Sequence, residues 1–122
     1  MTSKSEHYPP HNWGCFEKYQ FLTKDSYMIK VVAKFTIKAE NVEEFKKTST
    51  ELIDKTRKET GCITYELFQD FTDSNILAFI EEWDNVEALT KHTKTEHFIR
   101  IVPQLEMLKD KATEMNIYNL IS

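Results

Sequence analysis

With 122 residues, the chain is long enough for one domain with a hydrophobic core but short for two domains. Its formal net charge of −4 argues against the nucleic-acid binders, which carry basic surfaces, and its two glycines cannot build a glycine-rich phosphate loop. No apolar run approaches the roughly 20 residues that span a bilayer, and the N-terminus lacks the apolar segment of a secretory signal.

Residues 1–27 are polar, contain two adjacent prolines and show no sustained periodicity. The sequence therefore predicts an N-terminal extension over residues 1–27 and one core domain over residues 28–122. His7 and His11 have a spacing that binds metal on a helix, but they flank the prolines, which argues against a metal site. Four aromatic residues could hold the extension against the domain or a partner subunit: Trp13, Phe16, Tyr19 and Phe21.

The core domain is predicted to begin with a strand and a helix. Residues 29–37 are rich in β-branched residues, and polar and apolar residues mostly alternate. Asn41 with Glu44 is typical of a capping box and Gly61 of a helix end, so we predict a helix over residues 41–60. Its apolar face consists of Val42, Phe45, Ser49, Leu52, Ile53 and Thr56.

Two strands joined by a turn are predicted next. Residues 62–69 alternate in polarity, which makes Tyr65 a core residue. The face that carries it comprises Ile63, Tyr65 and Leu67. Residues 70–75 carry turn-forming side chains, and residues 76–83 form a third strand that is apolar on both faces until its acidic end.

The remaining residues are predicted to be helical and then extended. Asp84 with Glu87 is a second candidate cap, and Thr95 restarts the helical periodicity. Pro103 is expected to bend or split this second helical stretch. The last strand is predicted over residues 115–121.

This β-α-β-β-α-β order is that of ferredoxin-like α+β folds, in which helices cover one face of an antiparallel sheet. The other face should be polar if it met water, yet the first, third and fourth strands carry apolar residues on both faces. We therefore expect the surplus apolar face to pair with a second copy of the chain, giving a homodimer.

The third strand carries candidate site residues. Its period of two places Leu77, Phe79, Glu81 and Trp83 on one face. An acid and an indole on an apolar surface could line a pocket for a flat organic ligand. Alternatively, Trp83 packs at the strand end and Glu81 pairs with a nearby lysine, and the spacing does not decide between these interpretations.

Two histidines, His92 and His97, follow this strand at a spacing of five residues. On a continuous helix they would diverge by about 140 degrees, so we expect no two-histidine metal face and at least one histidine facing solvent. Close to an acid and an aromatic wall, His92 is nevertheless the natural proton acceptor for a phenol or an enediol.

Other chemistry finds little support in the sequence. Two cysteines, Cys15 and Cys62, are too few for a disulfide framework or a zinc site, and Cys62 is expected to be a packed residue rather than a nucleophile. No Gly-x-Ser-x-Gly turn of a serine hydrolase occurs. This composition is typical of a reduced, cytoplasmic protein, and we expect neither a membrane nor a nucleic acid among its partners.

Three motifs of residues 28–122 resemble those of the antibiotic biosynthesis monooxygenase (ABM) family, whose members are small dimeric α+β barrels. They are E-x-G-C-x-x-Y over residues 59–65, E-x-W over residues 81–83 and H-x4-H-F over residues 92–98, in the family's order. The resemblance implies, as in some members, oxidation of quinols or polyphenols by dioxygen without metal or flavin. One branch instead isomerises a phosphorylated sugar.

The resemblance leads to the hypothesis of a cofactor-free monooxygenase with His92, Glu81 and Trp83 as catalytic residues. The expected substrate-binding residues are Phe79, His97, Phe98 and Tyr65. Two alternatives stay open. The chain could bind a small aromatic molecule or quinone without turnover, or it could be an isomerase of sugar phosphates, for which Lys34 is the only evident inward-facing cation.

Overall fold

The computed structural model describes residues 27–122, so the predictions for His7, His11 and the four aromatic anchors lie outside the described residues. The elements are β1 (Ile29–Thr36), a short 3-10 helix (Ala39–Asn41), α1 (Val42–Thr56), β2 (Cys62–Gln69), β3 (Ile76–Trp83), α2 (Val86–His92), α3 (Glu96–Glu106) and β4 (Glu114–Asn119). Their order confirms the predicted ferredoxin-like α+β fold, with the second helical stretch divided into two helices.

Strands β1 to β4 form one antiparallel sheet in the order β2-β3-β1-β4. Val31 of β1 pairs with Glu81 of β3 and with Ile117 of β4, so these three side chains point to the same face. That face packs against the helices, and its core includes a tilted ring contact of 5.1 Å between the centroids of Phe35 and Phe45. We call the opposite side of the sheet the open face.

Helix α1 buries the predicted face, with Ile53 partly buried at its margin. The predicted capping box is wrong, because the Asn41 side chain accepts no hydrogen bond from the helix. Its amide donates instead to the Leu108 carbonyl oxygen at 3.4 Å. The helix ends at Thr56 rather than at residue 60, and residues 57–61 form turns that lead into β2.

The turn before β2 is locked by Gly61, which has a φ of 91°. A Cβ at this position would lie 2.6 Å from the Ala88 Cβ in α2. Glycine is therefore required both by the left-handed backbone and by the close approach of the turn to the helix. The Gly61 carbonyl also accepts a hydrogen bond from the Asp84 amide at 2.8 Å, which fixes the turn to the end of β3.

A β-bulge changes the start of β2. The register with β3 shifts between Cys62 and Thr64, as expected when one strand contains an extra residue. Tyr65 is buried as predicted, but Ile63, predicted to share its face, is about half exposed. Cys62 packs partly against the core instead.

The second helical stretch breaks at residues 93–95, between α2 and α3. Asn85 rather than Asp84 caps α2, its Oδ1 accepting from the Ala88 amide at 2.8 Å. Thr95 caps α3, as its periodicity suggested, by accepting from the Phe98 amide at 3.2 Å. The expected split at Pro103 does not occur, because α3 continues through that residue.

The open face carries partly buried apolar side chains between ion pairs. Val32 pairs in register with Ile80, and both side chains are only partly covered in the isolated chain. They are flanked by ion pairs from Lys30 to Glu82 at 3.3 Å and from Lys34 to Glu114 at 4.0 Å. Within residues 27–122, no helix has the length and apolar character to cross a membrane.

Candidate active site

Glu81 and Trp83 meet on the core face of β3, as the period of two predicted. The Trp83 indole Nε1 donates to Glu81 Oε1 at 2.9 Å, and both side chains are buried. No lysine of residues 27–122 forms a salt bridge with Glu81, so this part of the chain does not support the alternative in which Glu81 pairs with a lysine.

Burial sets the protonation state of Glu81. It raises the pKa of this carboxyl to about 8, assisted by the negative charge of Glu59 and opposed by the hydrogen bond from Trp83. The side chain is therefore mainly a neutral carboxylic acid at pH 7. One oxygen accepts from the indole, and the acid retains a hydroxyl group that can donate a hydrogen bond.

A narrow apolar cavity lies beside Glu81 between the sheet and the helices. Its volume is about 20 Å³, room for one molecule the size of water. Three of the expected substrate-binding residues, Tyr65, Phe79 and Phe98, line it together with Glu81 and His92. Trp83 and His97 do not line it, so neither can contact a molecule held in the present cavity.

Glu59, His92 and His97 form a hydrogen-bonded cluster, which we call the acid–histidine cluster. Glu59 Oε2 lies 2.9 Å from His92 Nδ1 and 2.5 Å from His97 Nε2. The exposed fraction is 2% for the His92 side chain and 13% for the side chains of Glu59 and His97. The cluster therefore extends from the cavity wall, at His92, toward the protein surface.

The break between α2 and α3 brings the two histidines together. His92 is the last residue of α2 and His97 the second residue of α3, so the angle calculated for a continuous helix does not apply. The prediction that at least one histidine faces solvent is wrong, because both turn toward Glu59. Glu59 was not among the predicted site residues, and its only signal was its place in the E-x-G-C-x-x-Y motif.

The environment of His92 favours a neutral ring with one defined tautomer. Burial lowers its pKa, while the hydrogen bond and the charge of Glu59 oppose that effect. Burial alone would raise the pKa of Glu59, but the bonds and charges of His92 and His97 outweigh it, so Glu59 is a carboxylate. His92 Nδ1–H therefore donates to Glu59, which leaves the lone pair on Nε2.

Aromatic side chains hold the His92 ring in place. Its centroid lies 4.7 Å from that of Trp83, 4.9 Å from Phe98 and 5.4 Å from Tyr65. Its Nε2 has no hydrogen-bond partner among residues 27–122, and His92 lines the cavity. A neutral imidazole with its lone pair on Nε2 has the chemistry of a proton acceptor.

Two other residues considered from the sequence do not contribute to this chemistry. Burial raises the pKa of Cys62 to about 11, assisted by the charges of Glu59 and Glu81, so its side chain is a thiol at neutral pH, as expected for a packed residue. Lys34 was the inward cation that the isomerase alternative needed. It lies on the open face beside Glu114, so that expectation is wrong.

Residues 28–104 match the family model described as antibiotic biosynthesis monooxygenase. The chain belongs to the ABM family. This confirms the family predicted from the three motifs. The acid–histidine cluster lies within the matched residues, and so does the lining of the cavity except for Leu105 and Met115.

Solved structures and a curated relative agree with this membership. A conserved protein of Methanosarcina mazei is 42% identical with a TM-score of 0.74, over 76% of this chain and 92% of that one. A structure described as an antibiotic biosynthesis monooxygenase is 35% identical with a TM-score of 0.74, over 77% and 99%. An uncharacterized Synechocystis protein is 35% identical over 92 residues, 75% of this chain but only 63% of that relative.

Proposed function

We propose that this ABM-family protein is a cofactor-independent monooxygenase that oxidises a quinol or another polyphenolic small molecule with dioxygen. The observation that carries the proposal is a His92 ring that bonds Glu59 through Nδ1 and lines an apolar cavity. A quinol becomes an electron donor once it loses a proton, and an apolar site keeps water away from the reactive pair that follows.

In the proposed reaction, His92 Nε2 takes a proton from a quinol hydroxyl group. The anion transfers one electron to dioxygen, and the resulting semiquinone and superoxide combine in a carbon–oxygen bond to form a peroxide. His92 returns its proton to the outer peroxide oxygen. The ring carbon then loses its hydrogen as the O–O bond breaks, so a hydroxyquinone and water leave. The quinol itself supplies all four electrons, and no other reductant is needed.

Glu59, Glu81 and Trp83 have supporting roles in this proposal. The Glu59 carboxylate fixes the His92 tautomer and stabilises the imidazolium that forms when the ring accepts a proton. Neutral Glu81 can donate a hydrogen bond to a substrate oxygen, while Trp83 orients that acid and contacts the His92 ring at a tilt of 38°. Trp83 acts through these two residues, because it does not line the cavity.

The cavity must open to admit an aromatic substrate. Pockets for such ligands enclose roughly 300–1,000 Å³, whereas this cavity holds about 20 Å³. We propose that lining side chains of α2 and α3, among them Leu89, Phe98 and Val102, move to open it. We further propose that residues 28–122 carry the activity and that residues 1–27 are an added extension.

Oxygen uptake by metal-stripped protein tests the proposed activity. The measurement uses a panel of reduced naphthoquinols and subtracts autoxidation recorded without protein. We expect protein-dependent uptake of one O₂ per quinol, with the hydroxyquinone identified by mass spectrometry. Ligand-induced thermal stabilisation without uptake by any quinol would contradict the oxidation and would favour the binding module considered from the sequence.

We also propose that the open face forms a homodimer interface. Its partly buried Val32 and Ile80 are the apolar residues that a second copy would cover.

Light scattering after size exclusion should give twice the chain mass of 14.5 kDa. Ile80→Lys should shift the mass to that of one chain. Ile99→Lys, the same change at an exposed apolar residue of α3, should leave the dimer intact. A wild-type mass of one chain would contradict the interface.

A further inference from the structure

The acid–histidine cluster orients His92 through hydrogen bonds, and its residue types are also those that bind transition metals. Two imidazoles and one carboxylate are the three protein ligands of several zinc sites, in which a water molecule takes the fourth position. The three ligand atoms here, one from each of Glu59, His92 and His97, all lie within 4.8 Å of one another. They come from a turn and two helix ends, so the i,i+4 spacing of a single helix is not needed.

We propose that Glu59 Oε2, His92 Nδ1 and His97 Nε2 bind a divalent transition-metal ion, for which Zn²⁺ is the first candidate. This site goes beyond the proposed oxidation, which uses no metal.

The distances are compatible with binding after a small adjustment. Zinc bonds of about 2.0–2.2 Å place tetrahedral ligand atoms about 3.3 Å apart. The present separations from Glu59 Oε2 are 2.9 Å and 2.5 Å, so these two pairs must open by less than about 1 Å. The two histidine nitrogens lie within 4.8 Å of each other and must close by up to about 1.5 Å. Because Glu59 and His97 are each 13% exposed, an ion can approach from solvent without crossing the apolar cavity.

A bound ion would change what His92 offers to the cavity. With the metal on Nδ1, the neutral ring keeps its proton on Nε2, the atom that the oxidation needs as an acceptor. Zinc would therefore inhibit the oxygenase, and removal of zinc would restore it. This inhibition rests on the proposed function, whereas the binding of zinc does not.

Titration calorimetry of the full, metal-stripped chain with ZnCl₂ tests the site. We expect one Zn²⁺ per chain. Loss of an outer-shell partner alone weakens metal binding by about 10–100-fold, so Glu59→Gln and His97→Gln, which each remove a direct ligand, should each weaken it by roughly 100-fold or more. Circular dichroism checks that each variant is folded. His97, which is partly exposed, provides the safer substitution should Glu59→Gln fail to fold.

A double variant, His7→Ala with His11→Ala, provides the matched control, because these are the other two histidines of the chain. It should bind zinc as the wild type does. Absence of binding in the wild type, unweakened binding in His97→Gln, or loss of binding in the double variant would each overturn the site. Visible absorption of bound Co²⁺ provides a second test. The bands of four-coordinate Co²⁺ should appear in the wild type and disappear in His97→Gln.

The two proposals fail in different ways. Zinc binding at the cluster without any quinol oxidation would leave the metal site intact and contradict the oxygenase. Oxidation that proceeds in metal-stripped protein, unaffected by zinc at saturating concentration, would leave the oxygenase intact and contradict the blocking of His92.

Discussion

Replacing His92 with alanine is expected to lower the rate of quinol-dependent oxygen uptake by roughly 100-fold or more. The variant loses His92, which is the only histidine of residues 27–122 that lines the cavity, and with it the proposed acceptor nitrogen that Glu59 positions. Residual turnover would come from substrate that is already ionised in solution, so it should rise with pH. Initial rates across a pH series, with autoxidation subtracted at each point, give the measurement.

A packing effect must be separated from loss of the base. His92 is buried against three aromatic rings, so alanine leaves a cavity and also reduces the free energy of unfolding. His92→Gln keeps most of the volume and should lose activity to a similar degree. Added imidazole should partly restore the alanine variant but not the glutamine variant. Lys91→Gln, an exposed neighbour in α2, should keep the wild-type rate. Full activity in both His92 variants would rule out the base assignment.

Replacing Glu81 with glutamine is expected to stabilise the protein increasingly as the pH rises from about 5 to about 8. In the folded state the pKa of Glu81 is raised to about 8 from an ordinary value of 4.5. Between pH 4.5 and about 8, Glu81 thus keeps its proton in the folded chain but loses it in the unfolded chain. The free energy of unfolding therefore falls as the pH rises through this interval. At about 1.4 kcal/mol per pKa unit, the full loss is about 5 kcal/mol.

Glutamine stays neutral at every pH and can still accept from the Trp83 indole, so Glu81→Gln should remove this contribution. Denaturant unfolding at pH 5, 7 and 9 should show the two proteins diverging toward high pH. Glu82→Gln provides the control, because the neighbouring carboxylate lies on the open face and pairs with Lys30. A Glu81→Gln variant less stable than the wild type at pH 9 would show that Glu81 is ionised and favourably paired.

The fold could be predicted because its signals are local and repeat along the chain. Period two on β3 correctly placed Phe79, Glu81 and Trp83 on the buried face, and helical spacing correctly gave the buried side of α1. The errors lie where one residue changes the geometry. The bulge near Cys62 moved Ile63 to the surface, and Asn85 displaced Asp84 as a cap.

The site was less predictable, because its main contacts join residues far apart in sequence. His92 was expected to be a proton acceptor, but the partner that sets its tautomer, Glu59, lies 33 positions away, in a turn before β2. The periodicity of polar and apolar residues carries no information about a contact between residues so far apart in sequence. The short break before Thr95 was also decisive, since it redirects His97, and caps of this kind shift by one or two residues in any sequence-based prediction.

The location of Glu59 in a turn has a consequence for how such a site can be altered. The apolar lining belongs to strands and helices, whereas Glu59 lies in the turn that ends at Gly61, close to α2. Substitutions that enlarge the cavity, for example at Leu52 or Val102, leave that turn untouched. The size of the substrate and the proton transfer to His92 can thus be altered by different substitutions. A designed variant could accept larger substrates and still keep the Glu59–His92 pair.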